Sequence, residues 1–191
     1  MSCTAVVDLI YVLDSSGSIG PNNYKKQINF TIDLASNFKI GPSNVLVGAV
    51  IFSHLAQKYF DLKDNPSLAE LRRVLSATPY MNYTTKTDQA LDLVASAGMF
   101  NANAGGRSNS KKIVIVITDG LSDNPTLTKE AATRLKSQGV TILAVGIGAA
   151  QDAELQNIAS GSQNVFKATN FDALKQIVAS VTQRACPGTS G

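Results

Sequence analysis

Near-continuous apolar runs alternate with segments of helical periodicity along the whole chain. Such runs are typical of strands buried on both faces of a parallel sheet. A sixth segment, 57–62, mixes polar and apolar residues and follows the second run after a turn of about four residues, which is too short for a parallel crossover. We therefore predict one antiparallel edge strand at 57–62 and strands at 5–13, 45–52, 112–118, 140–145 and 165–168.

Between these strands, apolar residues recur at spacings of three and four, the period of an amphipathic helix. Ser67 and Glu70 form a capping-box signature before one such segment, and Gly139 follows another at a C-cap position. The predicted helices cover about 21–38, 68–75, 90–97, 125–138, 152–159 and 171–184. The Gly- and Asn-rich stretch 100–110 is predicted to be a mobile surface loop.

The alternation of strands and helices predicts an α/β fold: a doubly wound, mostly parallel six-stranded sheet with one antiparallel edge strand and helices on both faces.

The composition is that of one soluble globular domain. The chain has 191 residues, 44% of them hydrophobic and 16% charged, and the mean hydropathy is +0.04. A disordered chain carries more charge and fewer apolar groups. The net charge of +3 comes without a long basic run, and no apolar stretch reaches the length of a transmembrane helix. We therefore expect neither nucleic-acid binding nor membrane insertion.

The two cysteines lie close to the two ends of the chain. Cys3 and Cys186 are too far apart in sequence for a paired metal motif, and His54 is the one histidine that could support a catalytic thiol. The placement favours a disulfide, with two buried thiols as the alternative. A disulfide would place the protein in an oxidising compartment. Because Met1 opens the chain without an apolar signal region, we expect residues 1–191 to be a single domain excised from a longer secreted chain.

Carboxylate and hydroxyl groups gather where two predicted strands end. The first strand runs into Asp14, Ser16 and Ser18, and the strand 112–118 runs into Asp119. Ligands of open parallel sheets bind at the carboxyl ends of the strands. Oxygen donors without His or Cys suit a hard divalent cation, so Mg²⁺ is expected, with Mn²⁺ or Ca²⁺ as alternatives. Two carboxylates and neutral hydroxyls would leave such a cation able to accept an outside carboxylate.

These residues carry a resemblance to the von Willebrand factor type A family, which includes integrin inserted domains, matrilins and collagen VI modules. It extends over residues 7–181 and implies a Rossmann-like fold. The family's metal-ion-dependent adhesion site (MIDAS) has the pattern Asp-x-Ser-x-Ser, a distant Thr, and Asp-Gly. Thr87 matches the distant Thr through the register Thr-x-Thr-x-x-Ala-Leu, and Thr85 is the alternative. The resemblance implies five metal ligands: Asp14, Ser16, Ser18, Thr87 and Asp119.

The resemblance also implies how the site works. Ser16 and Ser18 would coordinate the metal directly, an acidic side chain of a partner would complete the coordination, and the last helix can shift in some members. Bridged terminal cysteines opposite the metal fit the family. The residues expected to form the ligand-binding rim are Ser15, Asn22, Asn23, Tyr83, Thr85, Lys86, Leu121 and Ser122. Two sequons mark possible N-glycosylation, at Asn29 and at Asn82, where a glycan would crowd the metal rim.

Enzymatic functions find little support in the sequence. It contains no Walker motif and no Gly-x-Ser-x-Gly elbow, and a metal-dependent phosphotransferase would present a second acid where Ser15 and Ser16 stand. We expect a non-enzymatic, secreted adhesion or matrix-assembly module of the extracellular matrix, with collagen as the first candidate ligand. The alternative is a structural matrix protein that binds other matrix polymers or mineral surfaces, with the metal site incidental. Paired terminal cysteines disfavour the intracellular, chelatase-type use of the fold.

Overall fold

A computed structural model describes residues 3–186 of the chain. The strands are β1 Val7–Asp14, β2 Val45–Phe52, β3 Ala56–Phe60, β4 Lys111–Thr118, β5 Thr141–Ile147 and β6 Val165–Ala168. The α-helices are α1 Pro21–Ser36, α2 Leu68–Ser76, α3 Thr87–Ser96, α4 Pro125–Ser137, α5 Asp152–Ile158 and α6 Val178–Ala185. Three 3-10 helices lie at Ala102–Ala104, Ser162–Asn164 and Phe171–Gln176.

The strands form one sheet in the order β3-β2-β1-β4-β5-β6. All neighbouring pairs are parallel except β2 and β3, which pair antiparallel with an irregularity between Ala49 and Val50. The predicted fold class is thus confirmed. Chain order runs outward from β1 in both directions, so the strand order reverses between β1 and β4, the position at which open α/β sheets bind ligands.

The sheet separates two hydrophobic clusters. Along β1, Leu9, Tyr11 and Leu13 belong to one cluster, whereas Ile10 and Val12 belong to the other. This alternation follows from the period of two in a strand. Residues of α1, α2 and α6 complete the first cluster, and residues of α3, α4 and α5 complete the second. Because every residue of β1 is buried, a polar group on this strand must find its partners inside the protein.

The segment predicted as the last helix forms two separate helical elements. A single helix over 171–184 was expected, but the chain forms the 3-10 helix Phe171–Gln176, passes Ile177, and continues as α6. Asn170 caps the first element by accepting a hydrogen bond from the backbone N–H of Ala173 at 2.9 Å. A 3-10 turn repeats about every three residues, so it keeps nearly the same apolar face as an α-helix and the pattern alone does not distinguish them.

The Gly- and Asn-rich stretch 100–110 is tied to the central strand. Arg107 donates from Nε and Nη2 to Asp8 Oδ1 at 3.0 and 2.8 Å, and its backbone N–H donates to Asp8 Oδ2 at 2.9 Å. Lys112 Nζ lies 2.9 Å from the same Oδ2 atom. The prediction of a mobile loop took no account of Arg107, whose guanidinium anchors the segment to β1.

A disulfide joins Cys3 to Cys186, with 5.7 Å between the two Cα atoms. It confirms the pairing favoured by the sequence. Nearby, Asn37 Nδ2 donates to Thr182 Oγ1 at 3.2 Å, which adds a polar contact between the end of α1 and α6. The bridge lies beyond the N-terminal end of β1 and therefore at the opposite end of that strand from Asp14. No helix within residues 3–186 is long and apolar enough to cross a membrane.

Candidate metal centre

The carboxyl ends of β1 and β4 bring two predicted ligands to one place. The register pairs Leu13 with Ile117, so Asp14 at the end of β1 lies beside Thr118 at the end of β4. Thr118 Oγ1 donates to Asp14 Oδ2 at 2.6 Å. Asp119 follows Thr118 directly, so the topology places both carboxylates at the edge where strand order reverses.

The loop after β1 links these carboxylates through two serines. The backbone N–H of Ser16 donates to Asp14 Oδ1 at 2.8 Å. The hydroxyl oxygens of Ser16 and Ser18 lie 3.2 Å apart, and Ser18 Oγ donates to Asp119 Oδ1 at 3.0 Å. Four of the five predicted ligands are therefore connected by hydrogen bonds, and Asp14 joins the group through the backbone N–H of Ser16.

Thr87, the fifth predicted ligand, is the buried first residue of α3. Backbone hydrogen bonds attach the segment before this helix to the loops that follow β1 and β2. The N–H of Asn82 donates to the carbonyl of Ser15 at 2.8 Å, and the N–H of Lys86 donates to the carbonyl of Ser53 at 2.9 Å. The contacts that join the other four predicted ligands do not include Thr87.

The charged form of both carboxylates of the centre is disfavoured. Burial raises the pKa of Asp14, against the lowering effect of hydrogen bonds from Ser16 and Thr118. Burial and the charge of Asp14 together raise the pKa of Asp119 to about 6. None of the Lys or Arg ion pairs among residues 3–186 involves either carboxylate. A cation between them would offset both the burial and the mutual repulsion.

The donor set fits a hard divalent cation. No group of three or more His, Cys, Asp or Glu side chains is assembled within residues 3–186, so any centre here combines two carboxylates with hydroxyls. Such oxygen donors suit Mg²⁺, Mn²⁺ or Ca²⁺. Asp14, Ser16, Ser18 and Asp119 supply such donors together, and Thr87 lies buried at the start of α3.

Three supporting residues were missed in the sequence. Thr118 orients Asp14 as described, Gln27 Nε2 donates to the Asp14 carbonyl at 3.0 Å, and the Tyr80 hydroxyl donates to the Ser16 carbonyl at 2.8 Å. The sequence pattern could have indicated Gln27, because it is a polar residue among the apolar positions of the buried face of α1. Nothing local marks Tyr80, since its partner lies 64 residues away.

Six of the eight predicted rim residues remain available to a ligand. Tyr83 and Leu121 are well exposed, at 62% and 47% of their surface, and Asn22 is exposed at the start of α1. The half-buried members are Asn23, Thr85 and Lys86. Lys86 Nζ lies 3.5 Å from Asp123 Oδ2, so its charge is already partly compensated.

Ser15 and Ser122 are buried, and the expectation that they face a ligand is corrected. Ser15 Oγ accepts a hydrogen bond from the backbone N–H of Met81 at 2.7 Å, which holds the neighbouring loop. Ser122 donates from its hydroxyl and its backbone N–H to the buried carboxylate of Glu154 on α5. Both serines therefore fix loops beside the centre, and Glu154 is a further support that the sequence did not reveal.

The two sequon asparagines are both exposed. Asn29 lies in the middle of α1. Asn82 has a positive φ of 63°, a conformation that Asn tolerates better than most residues. Its Oδ1 lies 3.0 Å from where a Cβ on Gly17 would stand, so glycine at that position allows the two loops to meet.

The family model for the von Willebrand factor type A domain matches residues 8–180. The chain belongs to this family. The human collagen alpha-6(VI) chain is 35% identical over 170 residues, which cover 89% of this chain and 7% of that relative. The present sequence thus spans a small part of the collagen chain that it resembles.

Two solved structures of a mussel protein share the fold. Proximal thread matrix protein 1 of the mussel byssus, in crystal form 2, superposes with a TM-score of 0.91 at 27% identity, covering 97% of this chain and 49% of the other. A second structure of that protein, with a zinc-occupied MIDAS motif, gives a TM-score of 0.86 at 31% identity, covering 97% and 47%. The relatives named here are thus a collagen chain and a thread matrix protein.

Proposed function

We propose that this domain is a secreted, extracellular-matrix binding module that captures an acidic side chain of another protein through a divalent cation. The observation that carries the proposal is the pair Asp14 and Asp119, two carboxylates with raised pKa values that are linked through Ser16 and Ser18 and have no basic partner among residues 3–186. A buried carboxylate pair with a purely structural role would be expected to have a Lys or Arg side chain as its counter-charge. A site that binds an external cation needs no such side chain, because the cation supplies the positive charge.

The proposed cation is Mg²⁺, held by Asp14, Ser16, Ser18, Thr87 and Asp119. When bound, it would supply an electrophilic centre for an incoming carboxylate. The connected hydroxyls of Ser16 and Ser18 would fill coordination positions without adding charge, which keeps the cation attractive to an anion. The zinc-occupied MIDAS of the mussel protein supports a divalent ion at this position.

Collagen is the first candidate partner, as the family resemblance implies. The disulfide between Cys3 and Cys186 and the matrix relatives support an extracellular setting. We propose a binding role and no catalytic one, because the carboxylates and hydroxyls of the centre match the oxygen donors that a divalent cation prefers.

A second candidate function is a structural role in which the domain binds other matrix polymers or mineral surfaces and the metal site is incidental. The TM-score of 0.91 to a thread matrix protein of the mussel byssus favours keeping this candidate.

Solid-phase binding to a panel of collagens, in Mg²⁺ and in EDTA, tests the proposal. We expect the wild type and the control Asp92→Asn to bind in Mg²⁺ only, because Asp92 pairs with Arg134 on the surface away from the centre. Asp14→Asn should not bind under either condition. Retention that persists in EDTA and in Asp14→Asn would assign ligand binding to another surface and favour the structural alternative.

A further inference from the structure

A cleft of about 610 Å³ opens from the metal centre toward the ends of β5 and β6. Ser18 and Asp119 belong both to the centre and to the lining of the cleft. Its volume lies within the usual range of ligand pockets. The cleft is therefore continuous with the place where an incoming carboxylate would bind.

The cleft is shaped by the carboxyl ends of three strands. Beyond β4, Leu121 presents 47% of its surface to solvent. Beyond β5, Ile147 forms a buried part of the lining, and the exposed Ala149 follows Gly148, whose φ is +60°. Beyond β6, Phe171 is half-buried at the start of its 3-10 helix. Each of the three sides thus contributes an apolar group, and the uncharged polar side chains of Thr85, Thr169 and Asn170 complete the lining.

Charge is confined to one end of the cleft. Asp119 is the one ionisable side chain among the described residues that line it. The side-chain oxygen of Asn170 already accepts a hydrogen bond from the backbone N–H of Ala173, so it is engaged within the protein. Apart from the metal end, the cleft offers little to hold a charged group and favours an apolar one.

We propose that this cleft is a second subsite, which takes an apolar side chain adjoining the acidic side chain bound at the cation. The inference rests on the proposed function and narrows the ligand to a segment that joins an acidic group to an apolar one. The apolar group would contact Leu121, Ala149 and Phe171 while the carboxylate reaches the cation beside Ser18 and Asp119.

A rival apolar region lies around Tyr83. Its ring is 62% exposed and makes an edge-to-face contact with His54, with 4.3 Å between the ring centroids. Tyr83 does not line the cleft, and Leu55 beside His54 is 50% exposed. The cleft is favoured because it is concave and shares two residues with the metal centre, so one small ligand can occupy both.

Titration of two carboxylates into the ¹⁵N-labelled, Mg²⁺-loaded domain tests the subsite by nuclear magnetic resonance. Acetate presents a carboxylate alone, and hexanoate adds an apolar tail. We expect both to shift the amides of Ser18 and Asp119, and hexanoate also to shift those of Ala149 and Phe171. Each buried methylene is worth about fourfold in affinity, so hexanoate should bind at least about tenfold more tightly than acetate.

Ala149→Trp places a large side chain in the cleft and should remove the advantage of hexanoate while acetate affinity stays within about twofold. The matched control is Ala95→Trp, at an exposed alanine of α3 outside the cleft, which should keep the advantage. An unchanged Mg²⁺ affinity in both variants shows that the centre is intact. Mg²⁺ affinity is the control because neither alanine is one of the proposed ligands.

The outcomes separate the two proposals. If acetate fails to bind in Mg²⁺, the proposed function is wrong and the subsite falls with it. If acetate binds but hexanoate gains nothing, or if its tail shifts Tyr83 and His54 and not Ala149, the subsite is overturned while the proposed function stands. An advantage that persists in Ala149→Trp contradicts the subsite in the same way.

Discussion

Two buried aspartates on the central strand β1 differ in their surroundings and in the direction in which their pKa values are shifted. Asp8, near the start of the strand, and Asp14, at its end, are both fully buried. Burial by itself would raise the pKa of Asp8, but hydrogen bonds from Ser110, Arg107 and Lys112 outweigh it and hold the pKa below the ordinary 3.8. Arg107 and Lys112 also supply the counter-charge, at 2.8 and 2.9 Å.

Asp14 has hydrogen-bond donors but no cation. Burial raises its pKa even though Ser16 and Thr118 donate to its two oxygens. The protein therefore balances the carboxylate at one end of the strand with its own side chains, whereas the carboxylate at the other end has no basic partner among residues 3–186. We propose that an ion from solution supplies the missing charge, since buried groups with perturbed pKa values cluster at functional sites.

Removal of the disulfide, which lies at the same end of the fold as Asp8, should cause the largest loss in the free energy of unfolding. Cys3 and Cys186 are 183 residues apart, and closing a loop of that length restricts the unfolded chain by about 5 kcal/mol in the entropic account. Urea unfolding of the double variant Cys3→Ser, Cys186→Ser should show a loss of that order. If the two ends of β1 are independent, the folded variant still binds Mg²⁺ with wild-type affinity. A weakened affinity would show that the disulfide end and the metal centre are coupled.

Asp8→Ala should cost about 3 kcal/mol, because it leaves two cations without their buried partner. The estimate lies at the low end of the usual range, since Arg107 and Lys112 keep 17% and 26% of their side-chain surface exposed. Chemical denaturation measures the loss. Asp92→Ala breaks an exposed ion pair and should cost under about 1 kcal/mol. Equal losses in the two variants would contradict a structural role for the Asp8 network.

Asp14→Asn, unlike Asp8→Ala, should leave the stability of the metal-free protein nearly unchanged. In EDTA its free energy of unfolding should lie within about 1 kcal/mol of wild type, because a buried charge without a counter-ion is removed and most of the hydrogen bonding is retained. Addition of Mg²⁺ at about one hundred times the dissociation constant should stabilise the wild type by about 3 kcal/mol and the variant not at all. A large loss in EDTA would show that Asp14 is structural.

The pH dependence of stability should separate Asp8 from an ordinary acid. Its folded pKa lies below 3.8, so its contribution is complete above about pH 4 and is lost as the pH falls through the folded pKa. The difference in unfolding free energy between wild type and Asp8→Asn, both in EDTA, should be constant above about pH 4 and shrink below it. A difference that grows on acidification would contradict the lowered pKa.

The sequence predicted the parts of this molecule that depend on local pattern. Strands that are buried on both faces produce apolar runs in the sequence. Asp14 and Asp119 stand where two of these runs end, so their place at the edge of the sheet could be predicted. Arg107, Tyr80 and Glu154 were not predicted, because each acts through a partner 32 or more residues away. The same cause explains the wrong prediction for Ser15 and Ser122, whose hydrogen-bond partners Met81 and Glu154 lie 66 and 32 residues away.

Calorimetric titration of Mg²⁺ into the metal-free domain measures whether Asp14 and its neighbours form a site for a divalent cation. We predict one binding event in the wild type and in Asp92→Asn, and no binding heat in Asp14→Asn. Equal heats in the wild type and Asp14→Asn would contradict the account, because the ion would then bind elsewhere.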